Sequence, residues 1–564
     1  MTETNKFDNL LTDLGTGPWN LLIFFISFYC MLLVPSQFIS GVYLAPAINY
    51  TCLPPEENES VIIVSEDSCS YTRMTEARAE VEEECTEWDF DTSVFSNTLT
   101  SEFSLVCERK YLQALYQSAY VIGTFCSPIL GGYLADRYGR KVVVVITQVL
   151  TAFFAITIAF LNNMVAIMTA RVLLGLFNLL TLTVYTLESC EPKRRALLGM
   201  LLGLPWALGT MAWGGTAFLI RDWRWLQLVV SLPLLIILPV LFFMDESPRW
   251  LIVRGRHDQA VQVLRKAARW NRVTLQPEAD LRVLMNEIQE SATCSSTPAN
   301  TDTNTKKFRL TWPKLLSTRA IRIITVVVCI DYFAVSFVFD GLNLSGDDYI
   351  SDPFLYMTLS GMIEIPGYLL ATPIIDRWGR RLPTVLSFLL CGVAIAVIVV
   401  IPPELQVLRV SLALVGKWCI SGVYQVLYLY ASELFPTEVR MQGIGVASVS
   451  SQLASTFVPF ITSLLGSALP WLPSFIFGIA AAVAGMFTMA LRDTKDVPLP
   501  DTIADLSAAA IKEAVVFNRD SLSTITSSTI FSITTASAPD VEKKGLSSVF
   551  VSSIRYFFFQ RSRR

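Results

Sequence analysis

The chain has 564 residues, of which 52% are hydrophobic and 16% charged, with a net charge of -4 and a positive mean hydropathy. A soluble protein of this length carries far more polar surface, so an integral membrane protein is expected. The acidic balance offers no basic face for nucleic acid, and the single histidine, His257, cannot build a multi-histidine metal site, so no metal, cofactor or nucleic-acid partner is expected.

A bilayer core of about 30 Å takes roughly 20 apolar residues in helix. Runs poor in charge predict spans at 19–45, 111–135, 142–162, 165–187, 197–219 and 225–244, then at 320–341, 353–375, 383–402, 408–432, 443–467 and 471–491. Gly466 and Pro470 mark the turn between the last two. The first run is too long for a cleaved signal and lacks a basic flank, so it reads as a true first helix. The expected architecture is an all-α membrane protein of twelve transmembrane helices in two pseudo-symmetric six-helix bundles. Residues 1–18 form an N-terminal tail, 19–245 the first bundle with a long segment at 46–110, and 246–319 a central loop. The second bundle spans 320–491 and a tail 492–564.

Basic residues set the orientation, because Lys and Arg in short loops stay cytoplasmic. They cluster after helices 2, 4, 6, 8 and 10, at Arg137, Arg140 and Lys141, at Lys193 to Arg195, at Arg249 to Lys266, at Arg377 to Arg381 and at Arg440. Both termini are therefore expected inside a plasma-membrane protein. Segment 46–110 falls outside, where its sequons at Asn49 and Asn58 are glycosylation candidates. Its cysteines, Cys52, Cys69, Cys85 and Cys107, are disulfide candidates whose connectivity stays open. Asn343-Leu344-Ser345 is a third sequon, too close to helix 7 for ready modification. In the central loop, Ala260, Val261, Leu264, Ala267 and Ala268 share one helical face and predict an amphipathic helix over Asp258 to Asn271. Residues 291–305 read as a flexible linker, and the Ser/Thr-rich stretch beyond about residue 500 as disordered or regulatory.

An internal duplication carries most weight. Asp136-Arg137-Tyr138-Gly139-Arg140 after helix 2 recurs as Asp376-Arg377-Trp378-Gly379-Arg380 after helix 8. Glu188 precedes Arg195 by seven positions, as Glu433 precedes Arg440, and Glu246-Ser247-Pro248-Arg249 closes helix 6 as Arg492-Asp493-Thr494-Lys495 closes helix 12. These charges are expected to pair at the cytoplasmic face as a gate that holds the halves while the site faces outside. At about 1 kcal/mol per partly exposed pair, such a gate can break and reform within a cycle.

With these motifs stand Gly131 to Lys141, Trp223-Arg224-Trp225-Leu226-Gln227, Glu246 to Leu251, and Ser432-Glu433-Leu434-Phe435-Pro436-Thr437-Glu438-Val439-Arg440. Across residues 19 to 505 the chain resembles the major facilitator superfamily, and more narrowly its organic cation, anion and carnitine transporter family. The resemblance implies a transporter working by alternating access. Glu364 matches an acidic position of the cation and carnitine branches, and Gln425 a site residue of the cation branch. Gln452 stands where cation carriers have Asp and anion and carnitine carriers have Arg. A neutral residue there argues against a dedicated organic-anion carrier.

Ionisable residues at bilayer depth cost several kcal/mol and usually serve a function. Those read here are Asp331 and Asp340 in helix 7, Glu364 in helix 8 and Lys417 in helix 10. On one reading Glu364 or Asp331 pairs with Lys417 and merely stabilises the bundle. On the other, Asp331 and Glu364, together with Tyr332, Phe333, Phe337, Phe339, Tyr424, Tyr428 and Tyr430, make an aromatic-lined acidic cavity for a cation, with Asp331 replacing the charge missing at Gln452. The expected cargo is an organic cation or zwitterion of carnitine or choline type, and sodium coupling stays open for a zwitterion. The alternatives are a sugar-type or organic-anion facilitator, or a non-transporting receptor or scaffold. An enzyme is not expected, since no P-loop precedes a helix and no nucleophile with base and orienter can be assembled.

Overall fold

The computed structural model describes residues 3–53, 62–64, 69–74, 80–178, 201–296, 315–346 and 352–495, with isolated residues between these stretches and up to 506. The helices and strands below belong to one packed unit, Met1–Ile503.

Each of the twelve predicted spans holds a helix. In the first half these are α2 (Pro18–Phe38), α3 (Tyr111–Tyr138), α4 (Arg140–Ile158), α5 (Met164–Phe177), α6 (Leu204–Leu219) and the pair α7 (Trp223–Ser231) with α8 (Pro233–Phe243). The second half holds α12 (Arg319–Leu344), α13 (Pro353–Trp378), α14 (Arg381–Val400), α15 (Gln406–Leu434), α16 (Arg440–Phe460) and α17 (Leu472–Thr488). Among the described residues, eight helices are long and apolar enough to cross a membrane unaided, or nine when the two arms around the bend in α3 count as one span. Helix α3 bends by 41° near Pro128, as expected where proline removes a helical hydrogen bond. Past Pro459, α16 passes into a π-helical turn, Ile461–Leu465, which relaxes the strain of an internal proline.

The D-R-x-G-R turns sit at one end of the bundles and the 46–110 segment at the other. That segment contains strands no apolar run announced. β1 (Tyr50–Cys52) pairs antiparallel with β5 (Trp88–Phe90), and β2 (Ile62–Val64), β3 (Ser70–Met74) and β4 (Glu80–Glu84) form a second small sheet. The cysteine connectivity left open above is Cys52–Cys85 and Cys69–Cys107. So few strands bury little apolar surface, and two disulfides supply what a core cannot. Asn49 is exposed, whereas Asn58 lies outside the described residues.

At the D-R-x-G-R end, α1 (Glu3–Leu14), α9 (Pro248–Val253), α10 (His257–Asn271) and α11 (Glu278–Ser296) pack into a helical cluster. The buried face of α10 is the predicted Ala260, Val261, Leu264, Ala267 and Ala268. Helix α1 was not anticipated in the N-terminal tail; its Phe7, Leu10, Leu11 and Leu14 bury against α10 and α11. The helical run of α11 also reaches Ser296, into the stretch expected to be a linker. The remainder of that linker and the tail beyond 506 lie outside the described residues.

Candidate functional site

Two clusters at the D-R-x-G-R end realise the duplication, and each closes within its own half. In the first, Arg140 pairs with Asp136 at 2.7 Å and with Glu188 at 3.5 Å, Ser247 donates to Glu188 at 3.3 Å, and Glu246 accepts from the backbone N–H groups of Arg140 and Lys141. In the second, Arg380 pairs with Glu433 at 3.0 Å, Thr494 donates to the same carboxylate, and Asp493 accepts from the Arg380 N–H at 3.1 Å. Gly139 (φ 109°) and Gly379 (φ 81°) let the backbone turn where a Cβ would strike Glu246 or Asp493.

The partner of Glu433 is thus Arg380, not Arg440. Arg440 instead reaches the Phe435 carbonyl and the Thr437 hydroxyl, because it starts a new helix on the far side of the turn. Arg137 donates to Tyr133 at 2.9 Å, Asp376 is exposed, and the Arg377 carbonyl accepts from Lys495. Arg195 lies outside the described residues.

Among the charged side chains at bilayer depth, Lys417, Glu364 and Asp340 lie within electrostatic range of one another, while Asp331 lies apart. Lys417 on α15 is fully buried and meets Glu364 on α13 at 3.0 Å, donates to the Asn343 side chain at 2.7 Å, and rests on the Phe339 ring 3.2 Å from its centre. Tyr368 donates to the other Glu364 oxygen at 3.1 Å. Each Glu364 oxygen thus has one partner, the lysine on one and the Tyr368 hydroxyl on the other. The third sequon is buried with the pair, since Asn343 is a ligand of the lysine.

Asp331, expected in the same cavity, is turned away from it. It is wholly buried against α17, where Thr488 donates to one carboxylate oxygen at 2.9 Å while the other has no hydrogen-bond partner. Helical geometry explains the difference. Asp331 and Tyr332 are adjacent and so point about 100° apart, and Tyr332 is the one that faces Tyr428, with ring centres 5.7 Å apart.

Asp340 is the acid left facing the rings. It lies nine residues beyond Asp331 on α12, with the Ser455 hydroxyl in hydrogen-bonding reach and Lys417, Glu364 and Tyr424 within electrostatic range, while Tyr424 itself reaches Ser336 and Ser451. A file of aromatic rings runs from this point across both halves. Tyr332, Tyr428, Tyr424, Phe339, Trp206, Phe38 and Tyr120 follow one another at centre distances of 5.5 to 6.4 Å. The Phe339–Trp206 step crosses from one half to the other. Tyr428 is 47% exposed, so the file borders open space. Gln452 on α16 accepts from Thr124 on α3 at 3.2 Å, again across the halves, and Gln425 is half-buried on α15. A separate small cleft lined by Gly367, Leu370, Trp418, Gly422 and Val426 carries no charged group and offers no counter-charge.

One buried charge had gone unread. Arg171 on α5 is fully buried between the Tyr116 and Tyr120 rings, 4.4 and 5.0 Å from their centres, and donates to the Gln37 and Tyr116 carbonyls. Gln37, Gln227 and Ser231 form one polar layer beside it. The signal was the lone arginine in an otherwise uncharged span.

Between described residues, the hydrogen bonds and ring contacts that join the halves lie at mid-height or toward the disulfide end. Tyr43 donates to the Pro353 carbonyl and stacks on Phe354, Ser118 donates to the Thr456 carbonyl, and Thr124 meets Gln452. No ion pair between described residues crosses from one bundle to the other at the D-R-x-G-R end.

The family description "Sugar (and other) transporter" matches residues 59–500. Solute carrier family 22 member 6 of Danio rerio is 32% identical over 443 residues, covering 78% of this chain and 77% of the relative. Solute carrier family 22 member 20 of Mus musculus is 35% identical over 74% of each chain, and an organic cation transporter protein of Drosophila melanogaster is 28% identical over 88% of this chain and 94% of its own. Among solved structures, the xylose transporter XylE from E. coli in its inward-open conformation aligns with a TM-score of 0.59 at 18% identity, over 87% of this chain and 99% of that one, a likeness of fold alone. The chain accordingly belongs to the solute carrier 22 family of major facilitator transporters, a family of multi-pass membrane carriers and not of enzymes.

Proposed function

We propose that this carrier moves organic cations or zwitterions, of the choline or carnitine kind, across the plasma membrane, with both termini in the cytoplasm. The observation that carries the reading is Asp340, a buried carboxylate at the edge of a ring file that spans both halves. Glu364 is already matched by Lys417, and Asp331 faces the opposite side of its helix. Asp340 is therefore the counter-charge for an ammonium group, and the faces of Phe339, Tyr424, Tyr428 and Trp206 receive its methyl groups.

Alternating access fits the distribution of contacts, since among the described residues the hydrogen bonds and ring contacts between halves lie at mid-height and toward the disulfide end while the duplicated charge clusters stay within their halves. For a monovalent cation an interior-negative potential supplies about 2.3 kcal/mol per 100 mV, enough for uptake without a coupled ion. A zwitterion gains nothing from the potential, and sodium is then the coupling ion to test.

The experiment is uptake of labelled tetraethylammonium, carnitine, benzoate and glucose in cells expressing the chain, with and without sodium, beside Asp340→Asn. Uptake of the first two, lost by more than tenfold in Asp340→Asn at equal surface expression, supports the reading. Uptake of benzoate or glucose alone, or full cation uptake by Asp340→Asn, overturns it.

A further inference from the structure

The C-terminal end of α10 is held at the level where the membrane-spanning helices begin. Asn271 accepts from the Trp19 backbone N–H at 3.1 Å and donates to the Leu14 carbonyl and to Asn20, so it is fastened to the first turn of α2. One turn earlier, Lys266 meets Asp245 at 2.9 Å, two residues past the end of α8, and the Trp19 indole reaches the same carboxylate. The residues around Asn271 are therefore at the boundary of the bilayer. Beside them, Phe242 and Phe243 at the end of α8 are 63% and 79% exposed, as lipid-facing side chains are.

On this boundary α10 presents an arrangement the transport site does not use. Trp270 is 45% exposed and lies 5.8 Å from the Lys266 ammonium, and Val273 is exposed next to it. Arg269 and Arg272 are exposed, and neither meets a carboxylate among the described residues, whereas Arg265 pairs with Glu278 and Lys266 with Asp245. Arg272 closes the helix in the left-handed region (φ 58°), which turns the chain away from α10 just after the tryptophan. An indole with two unmatched guanidiniums at a bilayer surface suits a phosphate-bearing headgroup, with the ring among the upper acyl carbons and the arginines on the phosphate.

We propose that Arg269, Trp270 and Arg272 form a binding site for the headgroup of an anionic phospholipid in the leaflet that the D-R-x-G-R turns face. Among the described residues, the second half shows no counterpart to the α10 attachment. The site also anchors α10, and through Asn271 the start of α2, to the membrane surface. It rests on the membrane placement of the family, and not on the cargo.

The test uses the purified full chain in vesicles of phosphatidylcholine with a photoactivatable phosphatidylglycerol present in both leaflets, so that orientation does not affect the outcome. Cross-links are mapped by mass spectrometry. They are expected within residues 266–275, to fall about fivefold for each charge removed in Arg269→Gln/Arg272→Gln, and to persist in Arg269→Lys/Arg272→Lys. For the unmodified chain they are expected to drop sharply at 1 M salt, where the screening length is about 3 Å. Absence of cross-links in this stretch, an unchanged yield in the Gln double variant, or a yield indifferent to salt overturns the proposal. Should the Gln variant fail to fold, the salt series on the unmodified chain decides alone.

Discussion

The two halves repeat each other at the D-R-x-G-R end and part company in the interior. Arg140–Glu188–Ser247 with Glu246 is matched side chain for side chain by Arg380–Glu433–Thr494 with Asp493. At bilayer depth the described residues do not match. Among them the first half buries a single cation, Arg171, between two tyrosines, while the second buries three acids and one lysine. The duplicated geometry is a turn held by one Arg–Glu pair and one capping acid in each half. The unduplicated charge lies in the second half beside the ring file, where the cargo site is proposed.

The sharpest way to break this comparison is Lys417. Substituting Lys417→Met leaves Glu364 buried with no counter-charge, and removing one member of a buried pair costs about 3–5 kcal/mol. The expected result is loss of most protein from the cell surface and a large drop in the unfolding temperature in detergent. The double variant Glu364→Gln/Lys417→Met removes both charges and is expected to recover much of that stability. If the single and double variants are equally unstable, Lys417 stabilises the bundle by something other than its pairing with Glu364.

A milder perturbation asks whether the duplicated ends are equivalent. Gly139→Ala and Gly379→Ala each force a side chain into a positive-φ turn already filled by Glu246 or Asp493, at a cost of about 1–3 kcal/mol. Equal losses of transport rate at full surface expression are expected from the two. A large effect in one half with none in the other would show that only one turn acts in the cycle.

Much of the shared architecture was legible in the sequence, because span length and positive loops are set by the bilayer itself, and repeated Gly, Asp and Arg at fixed spacing have few other uses. The buried face of α10 was readable from its 3.6-residue period for the same reason. The interior was less legible. Asp331 and Asp340 carry the same chemistry on one helix, and only the rotation of α12 against α15 and α17 tells them apart. Which basic residue meets Glu433 was not legible, because a fixed spacing in sequence does not say which side of a turn a side chain lies on; it is Arg380. The strands of 50–90 left no periodic signal, being held by disulfides and short ladders and not by an apolar face.

The disulfide end supplies a last contrast, for the clamp there has no duplicate among the described residues. Glu102 sits between Trp223, which donates at 2.7 Å, Arg224, which pairs with it and also holds Asn162 and the Ala159 carbonyl, and Asn97 at 3.2 Å. It fastens the end of the 46–110 segment to the loops before α5 and α7. Partial burial works against the charged carboxylate, but the donors from Arg224, Trp223 and Asn97 outweigh it and hold Glu102 below the ordinary value of 4.5. A carboxyl whose folded value is depressed contributes stability above about pH 4.5 and loses it as pH falls through the folded value. The group is partly exposed, so the effect is small, below about 1 kcal/mol. Protease cleavage of the outer segment is therefore expected to quicken slightly below pH 4.5 in the unmodified chain. In Glu102→Gln it is expected to be faster at neutral pH and flat across the same range. An unmodified chain whose cleavage rate does not respond to acid would mean that the ladders and disulfides hold this end alone, and that the clamp is a bystander.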